Sequence, residues 1–295
     1  MLRWRLSLAF IIISALVGLG WLDAHSTLPG LWLLPAAVLF TVLTTADVLY
    51  LAGNGGMRPR PGVVHTANLL LVLAPWTPVL CRHCPQSIEV LGSGSTVSLL
   101  ILAIATLMTF LGEMRRYQKP GGITANIAAG VFAMVYVGVM LGFAVQLRLT
   151  WGIGALAAWI ITVKMGDTGA YTVGRLIGRH KMAPVLSPGK TVEGAFGALA
   201  FACLGSWAAF TWLVPAASPA ALPAGPAWGW LPFGLLLGGA GIIGDLAESL
   251  LKRDVGCKDS SSWLPGFGGA LDILDSLLLT APIAWLCWLL GLVGR

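Results

Sequence analysis

Long apolar runs separated by short polar segments dominate the pattern along this 295-residue chain. Most of these runs reach the roughly 20 residues that an α-helix needs to cross the hydrocarbon core of a bilayer. The segments between them are rich in Gly, Pro and charged residues, which mark connections. We predict about nine transmembrane helices, at residues 6–22, 31–52, 63–80, 90–111, 123–147, 149–163, 191–214, 228–246 and 277–293. The predicted fold class is therefore an all-α polytopic membrane protein.

The composition supports this fold class and excludes several others. Hydrophobic residues make up 57% of the chain and charged residues only 10%, whereas soluble domains carry about 25% charged residues. This difference excludes a soluble enzyme, a disordered protein and a small disulfide-rich secreted domain.

The basic residues predict the orientation of the helices in the membrane. Lys and Arg accumulate in cytoplasmic loops. With nine crossings, 15 of the 18 basic residues fall on one side, in the N-terminal segment and in loops 53–62, 112–122, 164–190 and 247–276. We therefore expect the N-terminus and these loops to be cytoplasmic.

Two features of the N-terminal half leave alternatives. Arg3 and Arg5 before an apolar run also fit a signal peptide, but Leu22 stands where cleavage requires a small residue, which favours an uncleaved first helix. Cys81 and Cys84 form a lone Cys-x-x-Cys pair without the second pair that a zinc site requires, so a disulfide and two free thiols both remain open.

The acidic residues separate the chain into two chemical regions. Eight of the 12 lie between residues 164 and 276. We therefore predict a transmembrane scaffold over residues 1–163 and a catalytic region over residues 164–295. Asp47 falls inside the second predicted helix, where an intramembrane carboxylate is a candidate functional residue but is equally compatible with helix packing.

Two pairs of acids share the spacing i, i+3 near predicted helix ends. Asp245 pairs with Glu248, and Asp272 pairs with Asp275. Carboxylates brought together in this way repel one another unless a cation lies between them, and Mg²⁺ binds one or two carboxylates together with substrate phosphates. We predict that Asp245 and Asp272 bind Mg²⁺, with the other two acids nearby. The alternative is a pair of helix caps carrying solvated acids.

A second polar segment has the character of a phosphate site. Ser187, Lys190 and Thr191 precede a predicted helix, whose free N–H groups attract phosphate. The Gly-Lys-Thr sequence is not a P-loop, because Pro184 occupies the position of the first glycine. An ordinary helix N-terminus explains Lys190 alone, but not the cluster of Gly, Ser, Lys and acid around it.

These motifs resemble those of the phosphatidate cytidylyltransferases. The resemblance covers Ser249–Arg253, Lys258–Ser260, Pro265–Gly266, Gly268–Gly269, Leu271–Asp272 and Asp275–Ser276. The upstream block is Asp167–Tyr171, Gly174, Gly178, Lys181, Pro184, Ser187–Thr191 and Glu193–Gly194. It implies an inner-membrane enzyme, commonly a homodimer, that converts CTP and phosphatidate into CDP-diacylglycerol and pyrophosphate at the cytoplasmic face. It also implies Mg²⁺, with room for a second cation, membrane lipid as a partner and no nucleic acid.

The resemblance assigns roles to individual residues. The substrate-binding set is Asp167, Tyr171, Ser187, Lys190, Thr191, Glu193 and Ser249; the catalytic set is Lys252, Arg253, Lys258, Asp259 and Asp275; the metal ligands are Asp245 and Asp272. The chain departs from the family pattern at Phe267, where the family has His, and at Ile273, where it has Arg.

Other functions fit the sequence less well. A CDP-alcohol phosphotransferase requires an Asp-Gly-x-x-Ala-Arg block that this chain lacks. A transporter places its charges at the bilayer midplane, whereas these charges cluster at one face. A relative that uses CTP to activate a different lipid phosphate remains open because of Phe267 and Ile273.

Overall fold

The computed structural model describes residues 2–80, 94–217, 224–261 and 268–294. Cys81, Cys84 and Phe267 lie outside the described residues. Within them the chain forms eight continuous helical stretches, and a short strand pair joins two of these. The stretches are α1 (Leu2–Ala24), α2 (Leu34–Asn54), α3 (Pro61–Val79), α4 (Gly94–Arg116), α5 (Ile123–Ile177), α6 (Val192–Ala217), α7 (Trp230–Asp254) and α8 (Leu271–Leu289).

In the described part of the chain, seven helices are long and apolar enough to cross a membrane, and α1 adds a shorter apolar segment at Phe10–Ala24. The fifth and sixth predicted runs both lie in α5. A straight helix of 55 residues would be about 80 Å long, far more than the roughly 30 Å hydrocarbon core. Gly152 interrupts it with φ 89° and ψ −177°, a conformation that only glycine adopts readily. The protein is thus a multi-pass membrane protein, and the count of nine crossings stays a prediction.

Two predicted loops are shorter than expected. The loop predicted at 164–190 is helical as far as Ile177, and the loop predicted at 247–276 is helical up to Asp254 and again from Leu271. A hydropathy run ends at the first charged residue, whereas the polar residues beyond it continue the helical spacing on one face. The residues 245–253 and 271–276 therefore lie on helices.

One short segment of the described residues departs from the predicted all-α fold. After α5, strand β1 (Lys181–Ala183) pairs antiparallel with strand β2 (Ser187–Thr191), with Lys181 opposite Thr191 and Ala183 opposite Ser187. The strands, of three and five residues, are too short for a period-two hydrophobic pattern to reveal them.

The chain divides into two compact units, each built from three segments. Unit 1 comprises Met1–Leu19, Trp32–Gln146 and Asp254–Ile273; unit 2 comprises Gly20–Leu31, Leu147–Arg253 and Leu274–Arg295. The boundary predicted at residue 163 rests on the distribution of acidic residues rather than on packing, and it stays a prediction.

In unit 1, α2 and α3 pack through buried aliphatic residues such as Val48, Leu51 and Val64. At their centre, Asn68 Nδ2 donates to Thr45 Oγ1 at 2.8 Å and to the carbonyl oxygen of Ala133 at 3.3 Å. Because a buried polar group without a partner is costly in an apolar interior, these bonds fix how the helices meet.

In unit 2, glycines allow the helices to approach closely. A Cβ at Gly197 would lie 2.5 Å from Val173 Cβ on α5, and a Cβ at Gly234 on α7 would lie 2.6 Å from Cys203 Cα on α6. In a membrane the hydrophobic effect does not drive helices together. Small residues at such crossings instead allow the backbones to pack closely through van der Waals contacts. The polar ends of these helices are thereby held in fixed positions.

Candidate active site

Three carboxylates meet in unit 2. One oxygen each of Asp245, Glu248 and Asp275 lies within 4.8 Å of the others. Glu248 is almost fully buried, while Asp245 and Asp275 are partly exposed. Clustered oxygen ligands of this kind suit a hard divalent cation such as Mg²⁺.

A glycine on α7 makes this cluster possible. A Cβ at Gly244 would lie 2.6 Å from the carbonyl oxygen of Asp275 on α8, and Gly241 one turn earlier faces Ser276. The two helix backbones therefore nearly touch beside the acids. Since Asp245 follows Gly244 directly, its carboxylate reaches the same region as that of Asp275.

Three lysines offset most of the negative charge. Lys190 Nζ lies 2.6 Å from Asp245 Oδ2, and Lys252 Nζ lies 2.5 Å from Glu248 Oε2. Lys164 Nζ lies 2.9 Å from Asp167 Oδ2 and donates to Ser276 Oγ at 3.1 Å. Ser276 Oγ in turn donates to Asp167 Oδ2 at 2.9 Å.

The formal charge of this group favours a cation. It contains the four carboxylates Asp167, Asp245, Glu248 and Asp275 and the three lysines, so its formal charge is −1. The group would become +1 with one divalent ion, which suits a polyphosphate ligand. In the sequence, Lys164 is only one of the basic residues of the predicted loop 164–190. Its position three residues before Asp167, on the same helical face, is the signal that could identify it.

The predicted phosphate segment lies on the hairpin and at the start of α6. Thr191 caps α6, because its Oγ1 accepts from the backbone N–H of Gly194 at 3.1 Å. Lys190 on β2 connects the hairpin to α7 through its ion pair with Asp245. Ser187 is a partly exposed residue at the start of β2. The structure thus brings Lys190 to the acid cluster and places Thr191 beside it in the chain.

Glu193 has a structural partner in the hairpin. Its carboxylate accepts from the backbone N–H groups of Arg179 and His180 at 3.0–3.3 Å and lies 2.6 Å from His180 Nδ1. These contacts hold the chain that enters β1. Its assignment to substrate binding stays a prediction.

The remaining unit 2 residues from the resemblance lie on α5 and α7. Tyr171 is exposed, and its hydroxyl oxygen accepts from Arg175 at 2.6 Å. Ser249 is buried, and exposed Arg253 donates through Nε to the carbonyl oxygen of Leu186 at 3.4 Å.

Asp272 belongs to unit 1, where it organises the loop before α8. Its Oδ2 accepts from Ser260 N at 3.0 Å, from Ser260 Oγ at 2.5 Å and from Gly269 N at 2.8 Å. Lys258 and Asp259, earlier in the same loop, are exposed. The metal-binding role predicted for Asp272 is not tested by these contacts and stays a prediction.

Asp47 also acts at the start of α8. Its side chain is buried, and Oδ2 accepts from the backbone N–H of Leu271 at 3.0 Å. A carboxylate at this position satisfies an otherwise unbonded N–H group and interacts favourably with the positive end of the helix dipole. Within unit 1, Asp47 therefore joins the scaffold to the helix that bears Asp272 and Asp275.

Comparisons with known proteins agree with this chemistry. The sequence profile described as the cytidylyltransferase family matches residues 5–290. The phosphatidate cytidylyltransferase of Staphylococcus aureus strain COL is 30% identical over 224 residues, which cover 76% of this chain and 77% of that protein. The phosphatidate cytidylyltransferase of Mycobacterium bovis is 36% identical over 169 residues, which cover 57% of this chain.

The second of these matches is partial, because the aligned region spans 52%, about half, of the mycobacterial protein. The family profile, in contrast, extends over almost the whole chain and includes both units. The resemblance inferred from the motifs is thus confirmed, and the chain belongs to the cytidylyltransferase family.

Proposed function

We propose that this protein transfers CMP from CTP to phosphatidate, giving CDP-diacylglycerol and pyrophosphate for phospholipid synthesis. The observation that carries the proposal is the group of three carboxylates flanked by Lys190 and Lys252 at the ends of membrane helices. Family membership and the names of the bacterial relatives support the same reaction. A site at a helix end allows a water-soluble nucleotide to meet a lipid that stays in the bilayer.

The donor set fits Mg²⁺. Asp245 and Asp275 are partly exposed and would hold the ion, whereas buried Glu248 is paired with Lys252. The metal-binding role predicted for Asp272, and a second cation, remain part of the proposal. When bound, Mg²⁺ would neutralise phosphate oxygens and help to orient the triphosphate.

The residues of the chain supply positioning and charge. A phosphate oxygen of phosphatidate attacks the α-phosphorus of CTP, and the bond from that phosphorus to the bridging oxygen of the β-phosphate breaks, releasing pyrophosphate. Such a transfer depends mainly on alignment and on stabilising charge. Lys190 would act as a point charge on the phosphates, next to the Thr191-capped N-terminus of α6.

Lys164 offers a positive charge near Asp275. The family has an Arg where this chain has Ile273, and an apolar side chain can neutralise no phosphate. Lys164 contacts Asp167 and Ser276 and also interacts electrostatically with Asp275. We infer that Lys164 supplies part of the charge that the arginine supplies in relatives.

The reaction can be tested directly. Purified protein in detergent is incubated with CTP labelled on the α-phosphate, phosphatidate and Mg²⁺, and the lipid fraction is analysed for labelled CMP. We expect a CMP-lipid that requires all three components, and none from an Asp245→Asn, Asp275→Asn double variant. Absence of product from the folded wild-type protein, or normal turnover by the double variant, would overturn the proposal.

Ile273 favours one alternative, the CTP-dependent activation of another lipid phosphate. Phe267→His combined with Ile273→Arg restores the family pattern, and we expect this variant to turn over phosphatidate faster or at lower CTP concentration. If neither protein uses phosphatidate while the wild type uses another lipid phosphate, the alternative is correct.

The location of the enzyme is part of the same proposal. The predicted loops 164–190 and 247–276 are rich in Lys and Arg and include the hairpin, Glu248 and Asp275, which supports a site at the cytoplasmic face of the inner membrane. A homodimer, as is common in the family, stays a prediction.

A further inference from the structure

The hairpin between α5 and α6 presents an apolar side chain at its tip. Residues 178–191, which we call the connecting hairpin, join two helices that are long and apolar enough to span a membrane. Val185 lies in the turn between β1 and β2, and it is 94% exposed. Leu176 and Ile177, just before the hairpin, are 81% and 61% exposed. Apolar groups concentrated in this way would be unfavourable in water but suit contact with lipid.

This tip is held in place from several directions. Glu193 binds the backbone at Arg179 and His180 at one end of the hairpin, and Lys190 pairs with Asp245 at the other. At the tip, Arg253 Nε donates to the carbonyl oxygen of Leu186. The exposure of Val185 is therefore a property of a fixed turn rather than of an unsupported loop.

The contact with Arg253 also indicates the depth of the tip. Arg253 is in the last turn of α7, which has 25 residues. A helix of that length is about 38 Å long, less than the roughly 40–45 Å of a bilayer with its headgroups. If α7 crosses the membrane, its last turn lies in the headgroup layer, and so does the turn bound to it.

The charges around the tip match an anionic lipid surface. Arg175, Arg179 and Lys181 are exposed, and residues 168–192 contain no acidic residue. The nearest acid after this segment, Glu193, is bonded to His180. Basic residues flanking an apolar group are typical of interfacial segments, since the side chains bind lipid phosphates while the apolar group enters the acyl boundary.

We propose that the connecting hairpin is an interfacial lipid anchor. Val185 inserts at the boundary between headgroups and acyl chains, and Arg179 and Lys181 bind the phosphates of anionic lipids in the adjacent leaflet. Because β2 also bears Lys190, this anchor fixes the depth at which the acid cluster faces the lipid phosphates. The proposal concerns a lipid contact outside the acid cluster and does not depend on which lipid is the substrate.

The depth of the tip is measured by electron paramagnetic resonance on full-length protein in vesicles. Val185→Cys carries a nitroxide in a background without native cysteines, and Gly189→Cys on exposed β2 is the matched control. We expect the label at 185 to collide several-fold more with oxygen, relative to a water-soluble nickel chelate, than the label at 189. Equal ratios at both positions would overturn the anchor, and so would a label at 185 shielded from both reagents, because protein would then cover the tip.

The headgroup contact is tested by changing lipid charge. In vesicles of phosphatidylcholine mixed with phosphatidylglycerol, the label at 185 should lie deeper than in phosphatidylcholine alone. Arg179→Gln with Lys181→Gln should abolish this response, whereas Arg115→Gln with Lys119→Gln, which removes the same charge from another exposed segment, should retain it. An unchanged response in the hairpin variant would overturn the role of these two residues. Neither measurement requires catalysis, so failure of the anchor is distinguishable from failure of the proposed activity.

Discussion

At the scale of single residues, the site depends on charges that are close together and nearly balanced. Asp245 and Glu248 each have a lysine partner within 2.6 Å. Asp275 instead accepts from the backbone N–H of Ser276 and interacts electrostatically with Lys164, Asp245 and Asp167. A cation would relieve repulsion among these acids, so Asp275 is the residue at which removing charge should affect metal-dependent turnover most clearly.

We therefore expect Asp275→Asn to lower turnover by about 100-fold or more, a typical loss when a preorganised charged contact is removed. The substitution keeps the side-chain volume, so folding should be preserved. The measurement is the rate of CMP-lipid formation as a function of Mg²⁺ concentration. Asp254→Asn, at the exposed end of α7, is the control and should retain normal activity. A variant at Asp275 with normal turnover would remove this residue from the site.

A different ion pair in unit 2 is expected to act on stability alone. Arg148 Nε lies 2.6 Å from Asp23 Oδ2, Arg148 also donates to the carbonyl oxygen of Asp23, and both side chains are almost fully buried. Removing one partner of a buried pair typically costs about 3–5 kcal/mol, because it leaves a buried charge behind. We expect Arg148→Met to lower the unfolding free energy by about that amount.

The measurement is unfolding of the purified protein in detergent. Arg115→Met, at an exposed position, is the matched control and should have little effect. In a double-mutant cycle, adding Asp23→Asn to Arg148→Met should recover part of the loss. Strictly additive effects of the two substitutions would contradict the proposed coupling.

At the scale of helices, the acid cluster depends on the crossing of α7 and α8 at Gly244. A methyl group there would overlap the carbonyl oxygen of Asp275, so the helices would have to separate. Overpacking of this kind costs about 1–3 kcal/mol, and a misplacement of about 1 Å in a positioned group can cost about 100-fold in rate.

We expect Gly244→Ala to reduce turnover at least about tenfold while the protein still folds. Gly239→Ala on the same helix is the matched control, because a Cβ at Gly239 meets no atom within 4 Å. Kinetics and thermal unfolding of both variants give the comparison. Equal activity in the two variants would show that the close crossing is unnecessary for the site.

The same scale explains what could be predicted from the sequence. Apolar runs identified the helices, because a membrane span needs a long uninterrupted stretch, but they could not reveal how far α5 and α7 continue into polar residues. The sequence does not reveal the hairpin, because two short strands carry no periodic signal. The contact of Asp47 with Leu271 joins residues 224 positions apart, which no local pattern encodes.

At the scale of the whole molecule, the orientation in the membrane follows from the distribution of charge. The predicted loops 164–190 and 247–276 together hold eight of the 18 basic residues. Each positive charge is hard to move across the membrane, so these segments should stay in the cytoplasm. The proposed active site would then face the cytoplasm, where the proposed reaction takes its CTP.

The orientation is tested by cysteine labelling of intact cells. In a background without native cysteines, we expect a membrane-impermeant thiol reagent to leave Ser187→Cys and Ser261→Cys unlabelled and to modify both after the membrane is opened. Thr27→Cys is exposed in the connection between α1 and α2, on the predicted outer side, and is the positive control. Because the two test positions come from different units, each reports separately on its own segment. Strong labelling of either position in intact cells would show that its segment lies outside the cell. That segment could then not contact cytoplasmic CTP, and the predicted orientation would be wrong.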